Sequence, residues 1–211
     1  MTTTCLQPNA QYSLDVALRP FATFATYMQA DNNPMLSVLQ DLMQPYDDAR
    51  QYFLWGGAST GKTHLLQAIC NHIAGSKQNA IYLPLQEFVA SGPACLKDIT
   101  GVDVLCIDDV DCILGDPEWD QALFVLINQQ RETNKSIVFT SSKNPHDISV
   151  STPDLSSRLL WGPVFKLKAL SDEERQEAMQ LHAKARGFSL SSEVCSYLLK
   201  RYPRELNHLL R

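Results

Sequence analysis

The octapeptide Gly56-Gly57-Ala58-Ser59-Thr60-Gly61-Lys62-Thr63 constrains this chain more than any other stretch. It fits the pattern G-x-x-x-x-G-K-[ST]. An apolar run, Tyr52-Phe53-Leu54-Trp55, precedes it, and a segment with Leu65, Leu66, Ile69 and Ile73 at helical spacing follows it. A strand, a glycine-rich turn and a helix in that order make an anion cradle. The glycines let backbone N–H groups of residues 56–61 turn inward around a phosphate, and the helix points its positive end at the same anion. Lys62 is placed to reach the β- and γ-phosphates of a nucleotide, and the Thr63 hydroxyl to hold Mg²⁺.

Strands and helices alternate through most of the chain. Helices are expected from Asn33-Pro34 through Met43 and over Lys62–Ala74. Strands are expected at Tyr52–Trp55, Ala80–Leu85, Val102–Ile107, Ser136–Thr140 and Pro163–Leu167. A short helix interrupted near Gly92-Pro93 follows the second of these strands. Asp116-Pro117-Glu118 has the cap, the first-turn proline and the acid of a helix start, for a helix running to about Glu132. Val102–Ile107 is apolar on both faces, as in a buried parallel sheet. The pattern is that of an α/β three-layer sandwich with a parallel sheet. After residue 168 only helical signals remain: a capping box at Ser171–Glu174 opening a helix that stops near Gly187, then Ser192–Arg201 and Pro203–Arg211. The expected organisation is a tail over 1–20, a nucleotide-binding core over 21–168 and a small helical lid over 169–211 that runs into the chain end.

Asp108 follows the apolar strand and Asp109 follows Asp108. A carboxylate at that strand end, beside the phosphate loop, can hold Mg²⁺ through water, so Thr63 and Asp108 form the expected metal pair. Asp109 is placed to polarise an attacking water. It is one methylene shorter than glutamate, so weak hydrolysis at most is expected.

These pieces, in this order and spacing, resemble the AAA+ ATPases and, within them, the DnaA and Hda family. Leu54-Trp55-Gly56-Gly57 through Lys62-Thr63-His64-Leu65-Leu66 is similar to the phosphate loop of that family, including His64-Leu65-Leu66 after it. Cys106-Ile107-Asp108-Asp109-Val110, with Gly115-Asp116 and Trp119, resembles its Walker B region. Ile137–Ser142 occupies the sensor 1 strand, with serine where the family usually has a stronger polar group. Pro153–Gly162 resembles box VII, and the resemblance makes Arg158 an arginine finger acting in trans. Pro203-Arg204-Glu205-Leu206 resembles the sensor 2 helix, which implies that Arg204 faces the phosphates of the chain's own nucleotide.

The resemblance implies ADP or ATP with Mg²⁺ as ligand, held by residues 56–63 together with His64, Asp108 and Arg204. For the Hda branch it implies more. A short N-terminal peptide of that branch binds the replication sliding clamp, and Gln11, Leu14 and Val16 fit its loose pattern Gln-x-x-Leu-x-apolar. The implied function is negative regulation of replication initiation: docking on the DNA polymerase III β clamp, reaching DNA through the clamp, and driving hydrolysis of DnaA-bound ATP. A helicase loader or DnaA-type initiator fragment with its own ATPase is the alternative, and a non-enzymatic clamp-tethered scaffold is another. The chain ends at Arg211 without a helix-turn-helix domain, which disfavours an origin-binding initiator. A homo-oligomer that depends on nucleotide is compatible with each reading.

Composition narrows the classes. The net charge of −5 argues against a surface that coats DNA. Residues 1–157 hold 8 Lys and Arg against 17 Asp and Glu, net −9, whereas residues 158–211 hold 10 against 6, net +4. An acidic body and a basic end suggest two functional parts. Cys5, Cys70, Cys95, Cys106, Cys112 and Cys195 form no C-x-x-C pair and read as reduced, mostly buried thiols rather than a zinc site. The N-terminus has no secretory pattern and no apolar run approaches a membrane span, so the expected location is cytoplasmic, without membrane contact.

Overall fold

A computed structural model of the 211-residue chain describes residues 18–28, 33–42, 48–97, 99 and 101–201. Among the described residues five parallel strands form one sheet: β1 (Gln51–Trp55), β2 (Ala80–Pro84), β3 (Val104–Asp108), β4 (Ser136–Ser141) and β5 (Val164–Lys166). Their spatial order is β2-β3-β4-β1-β5. Because every neighbour is parallel, each connection must cross a face of the sheet, and helices make the crossings.

The helices are α1 (Asn33–Asp41), α2 (Lys62–Ile73), α3 (Leu85–Phe88), α4 (Pro117–Glu132) and α5 (Pro153–Leu159) around the sheet, then α6 (Asp172–Ala185) and α7 (Ser192–Arg201). Strand alternation sorts the apolar residues into two cores, because successive side chains leave opposite faces of a strand. Phe53, Leu105, Ile107, Ile137 and Phe139 pack with Leu123, Leu126 and Ile127 of α4 and with Leu155 and Leu159 of α5. Tyr52, Leu54, Val104, Cys106 and Val138 point the other way, against Leu36 and Leu39 of α1 and Leu65, Leu66, Ile69 and Ile73 of α2. The result is the three-layer sandwich expected of the alternating pattern.

Local signals explain the boundaries. The Asp116 carboxylate accepts from the N–H groups of Glu118 and Trp119, and Pro117 occupies the first turn of α4. Ser171 and Glu174 make the reciprocal capping box of α6. The third strand begins at Val104 rather than Val102 and extends to Asp108, which pairs in register with Pro84. The box VII stretch is itself helical: Thr152 caps it, Pro153 opens it, and Leu155 and Leu159 bury one face. That helix has a single turn of apolar spacing, too short for a sequence period to reveal.

Beyond β5 only α6 and α7 occur among the described residues, closed on each other by Met179, Cys195 and Leu199. They attach to the N-terminal segment, where the Arg186 guanidinium lies over the Phe21 ring at 5.1 Å, and to α2, where the His182 ring meets that of His64. Among the described residues no helix is long and apolar enough to cross a membrane. The expected helix over Pro203–Arg211, with Arg204, and the N-terminal Gln11, Leu14 and Val16 lie outside the described residues.

Candidate nucleotide site

The phosphate loop joins the end of β1 to the start of α2. Ser59 and Gly61 both take left-handed backbone, with φ of 58° and 86°. Alternation of left-handed and ordinary residues turns successive N–H groups to one side, the nest that accepts an anion. Gly61 is required twice over, since a Cβ there would also stand 2.6 Å from the Tyr27 ring. The Thr60 hydroxyl ties the turn by donating to the Gly57 carbonyl at 3.0 Å.

Lys62 is 8% exposed, and its ammonium donates to the carbonyls of Gly56 at 2.7 Å and Gly57 at 2.9 Å. The amine therefore lies within the loop, on the backbone that would face a phosphate. Thr63, one residue on, donates from Oγ1 to Asp108 Oδ2 at 2.7 Å. The sequence-expected metal pair is thus brought into contact. A hydroxyl beside a carboxylate suits Mg²⁺, which takes one or two protein oxygens and completes its shell from phosphate and water.

Asp108 is 2% exposed and has two further donors that the sequence reading missed. Tyr82 of β2 donates its hydroxyl to Oδ2 at 2.8 Å, and Thr140 of β4 donates to Oδ1. Burial, followed by the Asp108 charge, raises the Tyr82 phenol, so it stays protonated and keeps donating. The available signal was a polar residue inside each of two otherwise apolar buried strands, Tyr82 in β2 and Thr140 in β4. Ser142, at the sensor 1 position, is turned elsewhere: its Oγ and its N–H both bond the Asp111 carboxylate.

Asp109 takes left-handed backbone, φ 53°, and its N–H donates to the Thr140 hydroxyl at 3.0 Å. Its carboxyl is pushed up to about 6, first by burial and then by the neighbouring Asp108 charge, with Lys62 acting in the opposite sense. A carboxyl titrating near neutrality beside the metal pair suits proton handling.

His64 is placed at the junction of three segments. Its Nε2 lies 2.8 Å from the Thr23 carbonyl, and its ring approaches those of Tyr27 and His182. The first full turn of α2 is thereby in contact with the N-terminal segment and with α6. Arg158, by contrast, lies away from this cluster. Gln51, the first residue of β1, donates from Nε2 to the carbonyls of Arg158 at 2.7 Å and Leu159 at 3.0 Å. The phosphate loop follows the last residue of the same strand. Five residues at ~3.3 Å each place the two sites roughly 13–17 Å apart along the sheet.

The family model described as the bacterial DnaA ATPase domain matches residues 18–166. The chain belongs to the DnaA family of AAA+ proteins. A second model, described as the Hda lid domain, matches residues 172–211 of this DnaA-family chain, a span that includes α6 and α7. Domain III of the replication initiation protein DnaA from Thermotoga maritima superposes with a TM-score of 0.78 at 25% identity, over 92% of this chain and 86% of that one. AMPPCP-bound DnaA from Aquifex aeolicus gives a TM-score of 0.72 at 25% identity, over 90% of this chain. The present chain spans 64% of the length of that Aquifex protein. A crystal structure described as DnaI is 18% identical with a TM-score of 0.54, a likeness of fold.

Proposed function

We propose that this DnaA-family protein binds an adenine nucleotide at its phosphate loop and regulates replication initiation by stimulating hydrolysis of ATP held by DnaA. Residues 56–61 supply the backbone cradle, Lys62 the phosphate-binding cation, and Thr63 and Asp108 the oxygens for Mg²⁺. The AMPPCP carried by the Aquifex relative supports adenine nucleotide as the ligand class. Asp109 is the acid available for any hydrolysis of its own, which its short side chain keeps slow.

The observation that carries the reading is the place of Arg158. Gln51 holds its backbone at the N-terminal end of β1, the end opposite the phosphate loop. An arginine side chain extends about 7 Å, so it does not span roughly 13–17 Å to its own nucleotide. A guanidinium displayed there meets a nucleotide only when another subunit presents one, and a planar, charged fork stabilises the charge developing on a transferring phosphoryl group. The Hda-type lid supports DnaA as the other subunit. By resemblance, Arg204 of the lid contacts this chain's own nucleotide, and Gln11, Leu14 and Val16 dock on the sliding clamp, which brings the protein to DNA.

The test is ATP hydrolysis by the cognate DnaA on clamp-loaded DNA, with and without this protein. Stimulation that requires the clamp and disappears in Arg158→Ala is expected. Full stimulation by Arg158→Ala would remove the trans finger from the reading. Substantial turnover by this chain without DnaA, abolished in Lys62→Ala, would favour a self-hydrolysing loader instead.

A further inference from the structure

The side chain of Arg158 is held in an unusual way for a surface cation. Its guanidinium carbon lies 3.9 Å from the centroid of the Trp161 ring and 5.6 Å from that of Phe124. The guanidinium of Arg131, at the end of α4, lies 3.8 Å from the same Trp161 ring. Two guanidiniums therefore pack against the one indole. Arg158 Nε is buried and has no hydrogen-bond partner, and no carboxylate among the described residues pairs with the side chain. Aromatic faces thus orient the cation without consuming its donors, as an acidic partner would.

The backbone around the indole is equally constrained. The Trp161 N–H donates to the Arg158 carbonyl at 3.2 Å, and that carbonyl also accepts from Gln51. At Gly162 a Cβ would stand 1.8 Å from the Gln51 carbonyl oxygen, so only glycine lets the chain turn there and bring the indole back over Arg158.

We infer that Trp161 is the positioning residue of Arg158: its indole, which Arg131 also contacts, orients the Arg158 guanidinium so that its terminal Nη groups meet a phosphate of the partner subunit. The inference rests on the trans-finger reading. Displacing a catalytic group by about 1 Å can lower a rate roughly 100-fold, so loss of the aromatic face should be visible in the maximal rate.

The experiment compares Trp161→Phe, which keeps an aromatic face, with Trp161→Leu, which fills space without one, in the DnaA ATPase assay on clamp-loaded DNA. Trp161→Phe is expected to stay within about threefold of the unmodified protein, and Trp161→Leu to lose roughly 10- to 100-fold in maximal stimulated rate. The concentration giving half-maximal stimulation should be unchanged in both. A second readout does not depend on DnaA: in the full chain, the Arg158 Nε–H proton resonance should be shifted upfield by the indole ring current and should lose that shift in Trp161→Leu. Equal rates for the two variants, or a change in half-maximal concentration alone, would overturn the positioning role. Absence of any stimulation by the unmodified protein, with the upfield shift present, would refute the trans-finger reading while leaving the stack in place.

Discussion

The rings of His64 and His182 meet edge to face with centroids 5.4 Å apart, so the phosphate-loop helix and the lid helix touch through two imidazoles. Burial lowers both, and it is the leading cause in each case; for His182, which falls to about 4, the His64 and Arg186 charges add to it, and for His64 the Arg19 charge does. An unfolded histidine titrates near 6.5, so between about pH 6.5 and 4 the unfolded chain binds more protons than the folded one. Stability contributed by the neutral pair is therefore present above about 6.5 and lost as the pH falls through that window. Thermal unfolding across pH 4–8 should show this decline, and His182→Gln should flatten it. An equal slope in the variant would remove the pair as its source.

Asp109 titrates in the opposite sense. Its folded value, about 6, lies above the 3.8 of a free carboxyl, so the folded chain binds the extra proton between those limits. As the pH rises through 6, the charge beside Asp108 opposes the fold. Asp109→Asn, which tolerates the left-handed backbone, should melt higher than the unmodified, ligand-free protein above pH 6. The difference should shrink toward pH 4. A constant offset would mean that the charge on Asp109 is not its source.

The Lys62 ammonium, already inside the loop, is the cation available to a phosphate. Lys62→Ala should weaken ADP binding roughly 10- to 100-fold, the loss of a charge-assisted hydrogen bond of about 1.5–3 kcal/mol. Calorimetric titration with ADP and Mg²⁺ reads this directly. Unchanged affinity would disprove the phosphate-loop assignment.

Tyr82 and Thr140 hold Asp108 from the two neighbouring strands. Tyr82→Phe removes one donor from a buried carboxylate and should destabilise the fold by about 1–3 kcal/mol. Its second effect should be weaker Mg²⁺ dependence of nucleotide binding, because the carboxylate is no longer oriented toward Thr63. A variant that unfolds at the same denaturant concentration and keeps its Mg²⁺ dependence would deny Tyr82 that role.

Gly162 tests the backbone turn behind Arg158. Gly162→Ala drives a Cβ into the Gln51 carbonyl and should destabilise the fold by about 1–3 kcal/mol, as overpacking does. At roughly 2–4 °C per kcal/mol for a chain of this size, a melting scan resolves it.

Features carried by one continuous segment are legible in the amino-acid order, the single-turn spacing of α5 excepted. The Gly56–Thr63 pattern, its apolar lead-in and its helical follow-on specify the phosphate loop, because nest geometry and helix dipole are properties of one continuous segment. The alternation of apolar strands with capped helices specifies a parallel sheet, and Asp108 is legible at the end of one of its strands. Tertiary structure alone decided which residues meet across the sheet. Tyr82 and Thr140 reach Asp108 only because β2 and β4 flank β3, and strand order is not encoded in any local period. The same holds for Arg158, Trp161 and Arg131, which share one stack though α4 and the turn after α5 are some thirty residues apart. Local hydrogen bonds and side-chain periods are written within about one helical turn of sequence, whereas the contacts that orient a cation or a carboxylate form only when the sheet closes and burial makes each unpaired polar group costly.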